Sequence, residues 1–181
     1  MPHDFYVKPD GDLVIEAIVR SQSVKRWHMI DTTRTQSIAE HSANVALLAY
    51  YISISSPEGY FGSPAAAALA GLLHDLPEAF TGDIPSHTKK ELEGIDELEH
   101  HLIPKLLERE IDEKLAGLIK LCDLAEGIRF IQVHGDDRTA RWARAGLHKQ
   151  LTDRGVALMD EWPRHVFDHV VAKIDYYIHE A

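Results

Sequence analysis

Leu72-Leu73-His74-Asp75-Leu76-Pro77-Glu78 is the stretch on which the reading of this chain turns. It closes a small-residue, apolar run over 65–73. Ser63-Pro64 opens that run, a serine suited to cap a helix and a proline suited to its first turn. The pattern therefore predicts a helix that packs closely against its neighbours and delivers His74 and Asp75 at its C-terminal end. An imidazole beside a carboxylate is a good ligand pair for a first-row divalent metal, and Glu78 adds a second carboxylate one turn later. Alone, such a pair is equally well a helix end with a solvated aspartate. The company decides: His41, Lys120 and Asp123 are polar residues in apolar settings, expected to converge on it.

Working outward, Leu13, Ile15, Ile18 and Val19 suggest a first helix ending near Ser21. Residues 24–36, with Arg26, Trp27 and several threonines, have neither helix nor strand period and read as an ordered binding loop. Ser37-Ile38-Ala39-Glu40 is a capping box. It opens a helix whose stripe is Ile38, Val45, Leu48 and Ile52, and His41 falls on that stripe. A lone histidine there is ordinarily a core residue; the His-Asp pair on the next helix makes it a ligand candidate. Residues 81–89, Thr-Gly-Asp-Ile-Pro-Ser-His-Thr-Lys, form a loop able to hold a phosphate or sugar. A charged amphipathic helix is expected over 91–108, with Leu92, Ile95, Leu98, Leu102 and Leu106 inward and Glu99, His100 and His101 solvated.

Asp112 caps the next helix, which carries Lys120 and Asp123 on one face at i, i+3 spacing and runs to about Val133. An unpaired carboxylate among Cys122 and Leu124 would be costly, so Asp123 needs a metal or Lys120 as partner. Two more helices follow, over 138–160 and 164–179, the last with Val166, Val170, Ile174 and Ile178 inward. His165 and His169, four apart, read as surface histidines. The fold class is all-α, one domain over 1–181 with a core near 12–134 and C-terminal helices 138–180 packed on it.

The formal charge is -10, which argues against a nucleic-acid or anionic-membrane surface. Phosphates then require a local cation. Cys122 is the one cysteine, a small core residue, and rules out an intrachain disulfide framework. The N-terminus is no signal peptide and no segment is long and apolar enough to span a membrane, so a cytoplasmic protein is expected, in the host cytoplasm if viral.

His41, His74, Asp75 and Asp123 give two imidazoles and two carboxylates from three helices. This ordered H … HD … D set resembles the HD-domain phosphohydrolase superfamily, on an orthogonal helical bundle. With Arg26-Trp27, Glu40-His41-Ser42 and Thr81-Gly82-Asp83-Ile84-Pro85 beside it, the chain is most similar to the 5′-deoxynucleotidase branch, over roughly residues 24–134. Its short length is similar to the compact bacteriophage dATP triphosphohydrolases of that branch.

The resemblance implies that His41, His74, Asp75 and Asp123 ligate a divalent transition metal (Co, Mn, Zn, Ni or Fe), with Mg possible alongside substrate. It implies that Glu78 handles the proton of the attacking water, and that Arg26 and Trp27 contact and orient the phosphate. Asp83, Ile84, Pro85 and Ser86 would form the substrate loop, Asp83 accepting from the deoxyribose 3′-hydroxyl. Lys120 would face the phosphate or Glu78. The expected reaction is hydrolysis of a 2′-deoxynucleotide at the α-phosphorus, dATP first, releasing deoxynucleoside and triphosphate or phosphate. The expected partners are the deoxynucleotide and further copies of the chain, as a dimer or dimer-based hexamer, with no nucleic acid and no membrane. General 5′-deoxynucleotidase action on monophosphates, and a non-catalytic nucleotide-binding module, are the alternatives. Glu78, a carboxylate beyond the ligands, favours an enzyme. A nucleic-acid phosphodiesterase is disfavoured by the charge.

Overall fold

The computed structural model describes residues 10–102 and 111–180. In chain order it has α1 (Asp10–Ser21), β1 (Lys25–Arg26), β2 (Gln36–Ser37), α2 (Ile38–Ser55), α3 (Pro64–Leu73), α4 (Glu78–Thr81), α5 (Ser86–Lys89), α6 (Ile95–Leu102), α7 (Glu113–His134), α8 (Arg138–Leu158) and α9 (Arg164–His179). The architecture is all-α. A two-residue antiparallel pair, Lys25↔Ser37 and Arg26↔Gln36, and a single bridge, Thr32↔Gly135, stand in the loop expected to lack regular structure. Two residues per strand are too few to leave a period in the sequence.

The helix starts follow their capping residues. Oγ of Ser63 accepts from the Ala66 amide, Asp112 caps α7 through the Leu115 amide, and Asp137 caps α8 through the Ala140 amide. Ser37 accepts from the Glu40 amide, but only half of the capping box forms. The Glu40 carboxylate instead takes both terminal nitrogens of Arg34, at 2.9 and 2.5 Å. A bidentate charged pair outcompetes one back-bond to an amide.

The core is shared by α2, α3, α7 and α9. Val45, Ala49 and Ile52 meet Ala67, Leu118, Cys122, Ala125 and Ile128, and the expected stripe of α9, Val166, Val170, Ile174 and Ile178, closes over them. Helix α3 crosses α2 at glycine distance: a Cβ on Gly71 would sit 2.7 Å from the Ala46 Cα. That close crossing brings the end of α3 beside the first turns of α2, where His41 lies.

Two expected apolar faces differ. Helix α1 buries Ala17, against Leu76 and Ala79, while Ile15, Ile18 and Val19 are exposed. Its neighbour is the single turn α4, whose close approach suits a small side chain. The charged helix is described over Ile95–Leu102, after Gly94 at φ 77° interrupts the run. Leu92 and Leu98 are exposed. Glu99, expected in solvent, is half-buried and paired with Lys89 of α5, so the inward face of α6 is organised by a charge pair. Leu106 lies outside the described residues, as does the side chain of His100. No helix among the described residues is long and apolar enough to cross a membrane.

Candidate metal centre and substrate cleft

His41 sits one turn into α2, His74 caps the end of α3, Asp75 follows in the turn to α4, and Asp123 lies midway along α7. The fold gathers these four, each offering one donor atom, all within 4.8 Å of one another. Nε2 of His41 is 3.4 Å from Oδ2 of Asp75 and 3.2 Å from Oδ1 of Asp123; Nε2 of His74 is 3.2 Å from Asp75 Oδ2. Neither Nε2 is aligned for a hydrogen bond, and both are buried. Lone-pair donors packed together without satisfying one another fit a divalent cation, and the mixed imidazole–carboxylate set suits a transition metal. The tautomer of His74 fits as well: its Nδ1 donates to the Gly71 carbonyl at 2.7 Å, leaving Nε2 as the donor atom to a metal.

The charges agree. Burial pushes the Asp75 carboxyl up, but the two histidines outweigh it and hold the group well below the usual carboxylate range. Asp123 is likewise held low against burial, by His41 and Lys120. Burial and Arg26 push the His41 imidazolium down, and the carboxylates of Asp123, Asp75 and Glu126 around it raise it well above the ordinary value.

Around the four ligands lie the other residues expected from the sequence. Nη1 of Arg26 donates to Asp75 Oδ2 at 2.8 Å and reaches Asp83 Oδ1 at 4.0 Å; its Nη2 is 4.0 Å from Asp123 Oδ1. Its Nε is buried with no partner. Trp27 occupies left-handed backbone at φ 63°, rare for a bulky residue. Three contacts hold it there. Its amide donates to Asp83 Oδ2 at 3.3 Å, its indole Nε1 donates to Gln36 Oε1 at 2.9 Å, and its ring lies parallel to Phe130. The indole thus packs the loop onto α7 while its strained backbone aims Arg26 into the ligand cluster.

Asp83 follows Gly82, at φ 81°, and joins the two loops. Ile84 and Pro85 are half-buried in the extended link to α5, which Ser86 opens; the Ser86 side chain is outside the described set. Lys120 donates to Asp123 Oδ2 at 2.6 Å, leaving Oδ1 toward His41. Of the two partners offered by the sequence for Asp123, Lys120 is in place on Oδ2, and Oδ1 is left on the side of the other candidate ligands.

Glu78 begins α4 and is buried, with Oε2 unpartnered. Burial, with Asp75 and Asp83 close by, pushes its carboxyl up to about 9. At neutral pH it carries a proton. Lys89, paired with Glu99, stands near enough to oppose that shift in part.

Glu126 is absent from the sequence-derived set. It is buried on α7, one turn after Asp123, and its Oε2 lies 2.5 Å from His41 Nδ1. Gln36 and Asn44 donate to its other oxygen at 2.7 and 3.0 Å. The available signal was its i, i+3 spacing from Asp123 inside a helix of apolar residues. His165 and His169 belong to no such cluster among the described residues.

The chain is similar to known proteins. Over 143 residues, 74% of this chain and 74% of the relative, the sequence is 34% identical to a dATP triphosphohydrolase of Salmonella phage PMBT28. It is 34% identical over 121 residues to the dATP triphosphohydrolase of Cyanophage S-2L, covering 65% of this chain and 69% of that one. The solved structure of the Cyanophage S-2L HD phosphohydrolase (DatZ), bound to dA and one catalytic Zn2+ ion, superposes with a TM-score of 0.74 at 28% identity, over 92% of this chain and 96% of that one. Residues 14–123, which carry all four ligands, match the family described as 5′-deoxynucleotidase YfbR-like. By fold and sequence alike, the chain belongs to the YfbR-like 5′-deoxynucleotidase family of HD phosphohydrolases.

Proposed function

We propose that this protein hydrolyses 2′-deoxynucleoside triphosphates at the α-phosphorus, dATP preferentially, giving the deoxynucleoside and inorganic triphosphate. The observation that carries the reading is the shared fold with a phage phosphohydrolase described with dA and one catalytic Zn2+ ion, supported by two relatives named for dATP triphosphohydrolysis.

A divalent cation held by His41, His74, Asp75 and Asp123 supplies Lewis acidity toward a phosphoryl oxygen and makes water more acidic. The chain's own residues do the rest. Arg26 turns its unpartnered Nε and its Nη groups to the phosphoryl oxygens, offsetting the charge that builds there. Lys120 and Arg26 keep the ligand carboxylates oriented. A water oxygen bonds to the α-phosphorus, the P–O5′ bond breaks, and the 5′-oxygen needs a proton to leave. Glu78, which holds one on a buried carboxyl, delivers it and recovers one from the attacking water. Asp83 accepts from the sugar 3′-hydroxyl, and Ile84 and Pro85 wall the sugar. Close packing of sugar against these side chains excludes a 2′-hydroxyl.

The test is a product assay on dATP, ATP, dGTP, dCTP and dAMP with Zn2+, Co2+, Mn2+ or Mg2+ added. Triphosphate release from dATP well above ATP is expected. Equal rates on ATP and dATP refute the deoxyribose preference. Phosphate from dAMP with no turnover of dATP moves the activity to the monophosphates, which the name of the matched family supports.

A homo-oligomer, a dimer or a dimer-based hexamer, completes the proposal. Leu47, Tyr50, Tyr51 and Ile54 follow i, i+3, i+4, i+7 spacing along α2 and are all exposed, an apolar stripe of the kind that a second copy covers. Light scattering on wild type and on Leu47→Glu/Ile54→Glu reads the mass directly; a monomeric wild type removes this part.

A further inference from the structure

Four side chains behind the metal centre form a hydrogen-bond chain whose direction is fixed at one end. The indole Nε1 of Trp27 is a donor only. It is bound to Oε1 of Gln36 at 2.9 Å, which settles which way round the Gln36 amide lies. Nε2 of Gln36 must then be the group that meets Oε1 of Glu126, at 2.7 Å. Asn44 Nδ2 donates to the same oxygen at 3.0 Å. With Oε1 occupied by two amide donors, Oε2 is left for His41 Nδ1, at 2.5 Å. A carboxylate with these donors on it only accepts, so His41 must hold its proton on Nδ1. Its lone pair is then confined to Nε2, the atom turned toward Asp75 and Asp123.

We propose that Glu126 is the positioning residue of this metal centre, fixing the tautomer and ring orientation of His41, and that Gln36 and Trp27 fix Glu126 in turn. The chain begins at the residue beside Arg26 and ends at a metal ligand, so the loop that aims Arg26 and the ligand it serves share one set of hydrogen bonds. Burial gives the arrangement its weight. Gln36, His41 and Glu126 are each at most 2% exposed, so no water competes for these bonds. An ionised group so deep is kept only when fully bonded, and Glu126 has a donor on each oxygen. Outer partners of a ligating histidine commonly account for about 10–100-fold in metal affinity. The inference rests on the cation site and not on the choice of nucleotide.

Glu126→Gln tests it, because an amide has one acceptor where two are required. If its oxygen faces Gln36 and Asn44, its NH2 faces Nδ1 and drives the His41 proton to Nε2. Zinc affinity, measured by competition with a chromophoric chelator on the full chain, is expected to fall about 10–100-fold. In Gln36→Glu/Glu126→Gln the amide oxygen can face His41 while its NH2 meets the new carboxylate, and most of the lost affinity should return. Unchanged zinc affinity in the single variant, or a double variant no tighter than the single one, overturns the proposal. A third measurement needs no variant and so survives any failure to fold. In wild-type protein loaded with 113Cd, the His41 ring is expected to couple to the metal through Nε2 and to carry its proton on Nδ1. Coupling through Nδ1 overturns the assignment. Because zinc affinity and ring spectra are read without substrate, a wrong nucleotide assignment leaves both results interpretable.

Discussion

Nη1 of Arg26 donates at 2.8 Å to Oδ2 of Asp75, the carboxylate oxygen that also faces both imidazoles. One oxygen therefore stands between the guanidinium and the metal donors. Arg26 is buried against the site, and its charge opposes a second cation there. Removing it should separate binding from turnover. Arg26→Met is expected to bind zinc at least as tightly as wild type, while kcat falls about 10²–10³-fold, as for a lost transition-state donor. Metal titration beside single-turnover assays checks this. Equal losses of both would make Arg26 a support for Asp75 alone.

Glu78 gives a pH signature. Its folded-state carboxyl titrates near 9 against an ordinary 4.5, so between those values the folded chain holds a proton that the unfolded chain has lost. Its contribution to stability is complete below pH 4.5 and is lost as pH rises toward 9. Chelator-treated wild type should therefore lose Tm from pH 5.5 to 9, at about 2–4 °C for each kcal/mol in a chain of this size. His41, also raised, titrates in the same direction, so the comparison with Glu78→Gln isolates the carboxyl. The Gln variant should show a flatter Tm profile, bind metal normally and turn over about 10²–10⁴-fold more slowly. Parallel Tm profiles would contradict the raised carboxyl.

Asp75 touches Arg26 and both histidines, so its loss should be the most complete. Asp75→Ala removes a ligand and leaves Arg26 without its closest partner. Dialysed protein is expected to retain no stoichiometric zinc and no measurable turnover, and added zinc should no longer raise its Tm. Wild type should instead gain Tm with zinc, by mass action on the folded state. Full metal content in the dialysed variant would dissolve the four-ligand assignment.

The cluster of His41, His74, Asp75 and Asp123 was legible in the sequence because each is a chemical anomaly at its position. His41 lies on an apolar stripe, Asp123 lies in an apolar helix, and His74-Asp75 ends an apolar run. Glu126 obeys the same logic, but no motif names it and its partner is 85 residues away. Gln36 was harder still: a single amide at a loop end carries no period. The α1 face misled for a different reason. Ile15, Ile18 and Val19 have helical spacing, yet the surface available to that helix is one short turn that accepts Ala17. Periodicity predicts that a face is apolar and says nothing of what covers it.

The crossing of α2 and α3 sets the distance between the two histidine ligands, and Gly71 sets the crossing. A Cβ at Gly71 would lie 2.7 Å from the Ala46 Cα and 2.8 Å from the Ala46 nitrogen. Both obstructing atoms are backbone, so no rotamer change relieves the clash and the helices must part. His41 is on one of them, and the Gly71 carbonyl itself holds His74 Nδ1 on the other. The His41 and His74 rings, with centroids 5.3 Å apart, should separate. Gly71→Ala is expected to cost about 1–3 kcal/mol, the range for overpacking a tight contact. Zinc affinity should fall with stability. Gly146→Ala is the control. It lies inside α8 with nothing within 4 Å of its ideal Cβ, so relief of backbone entropy should raise stability by about 0.5–1 kcal/mol. Thermal melts and zinc titrations on both variants separate the two causes. If Gly71→Ala melts like wild type and binds zinc unchanged, the helices have room the structure denies them, and the spacing of the ligands must be set elsewhere.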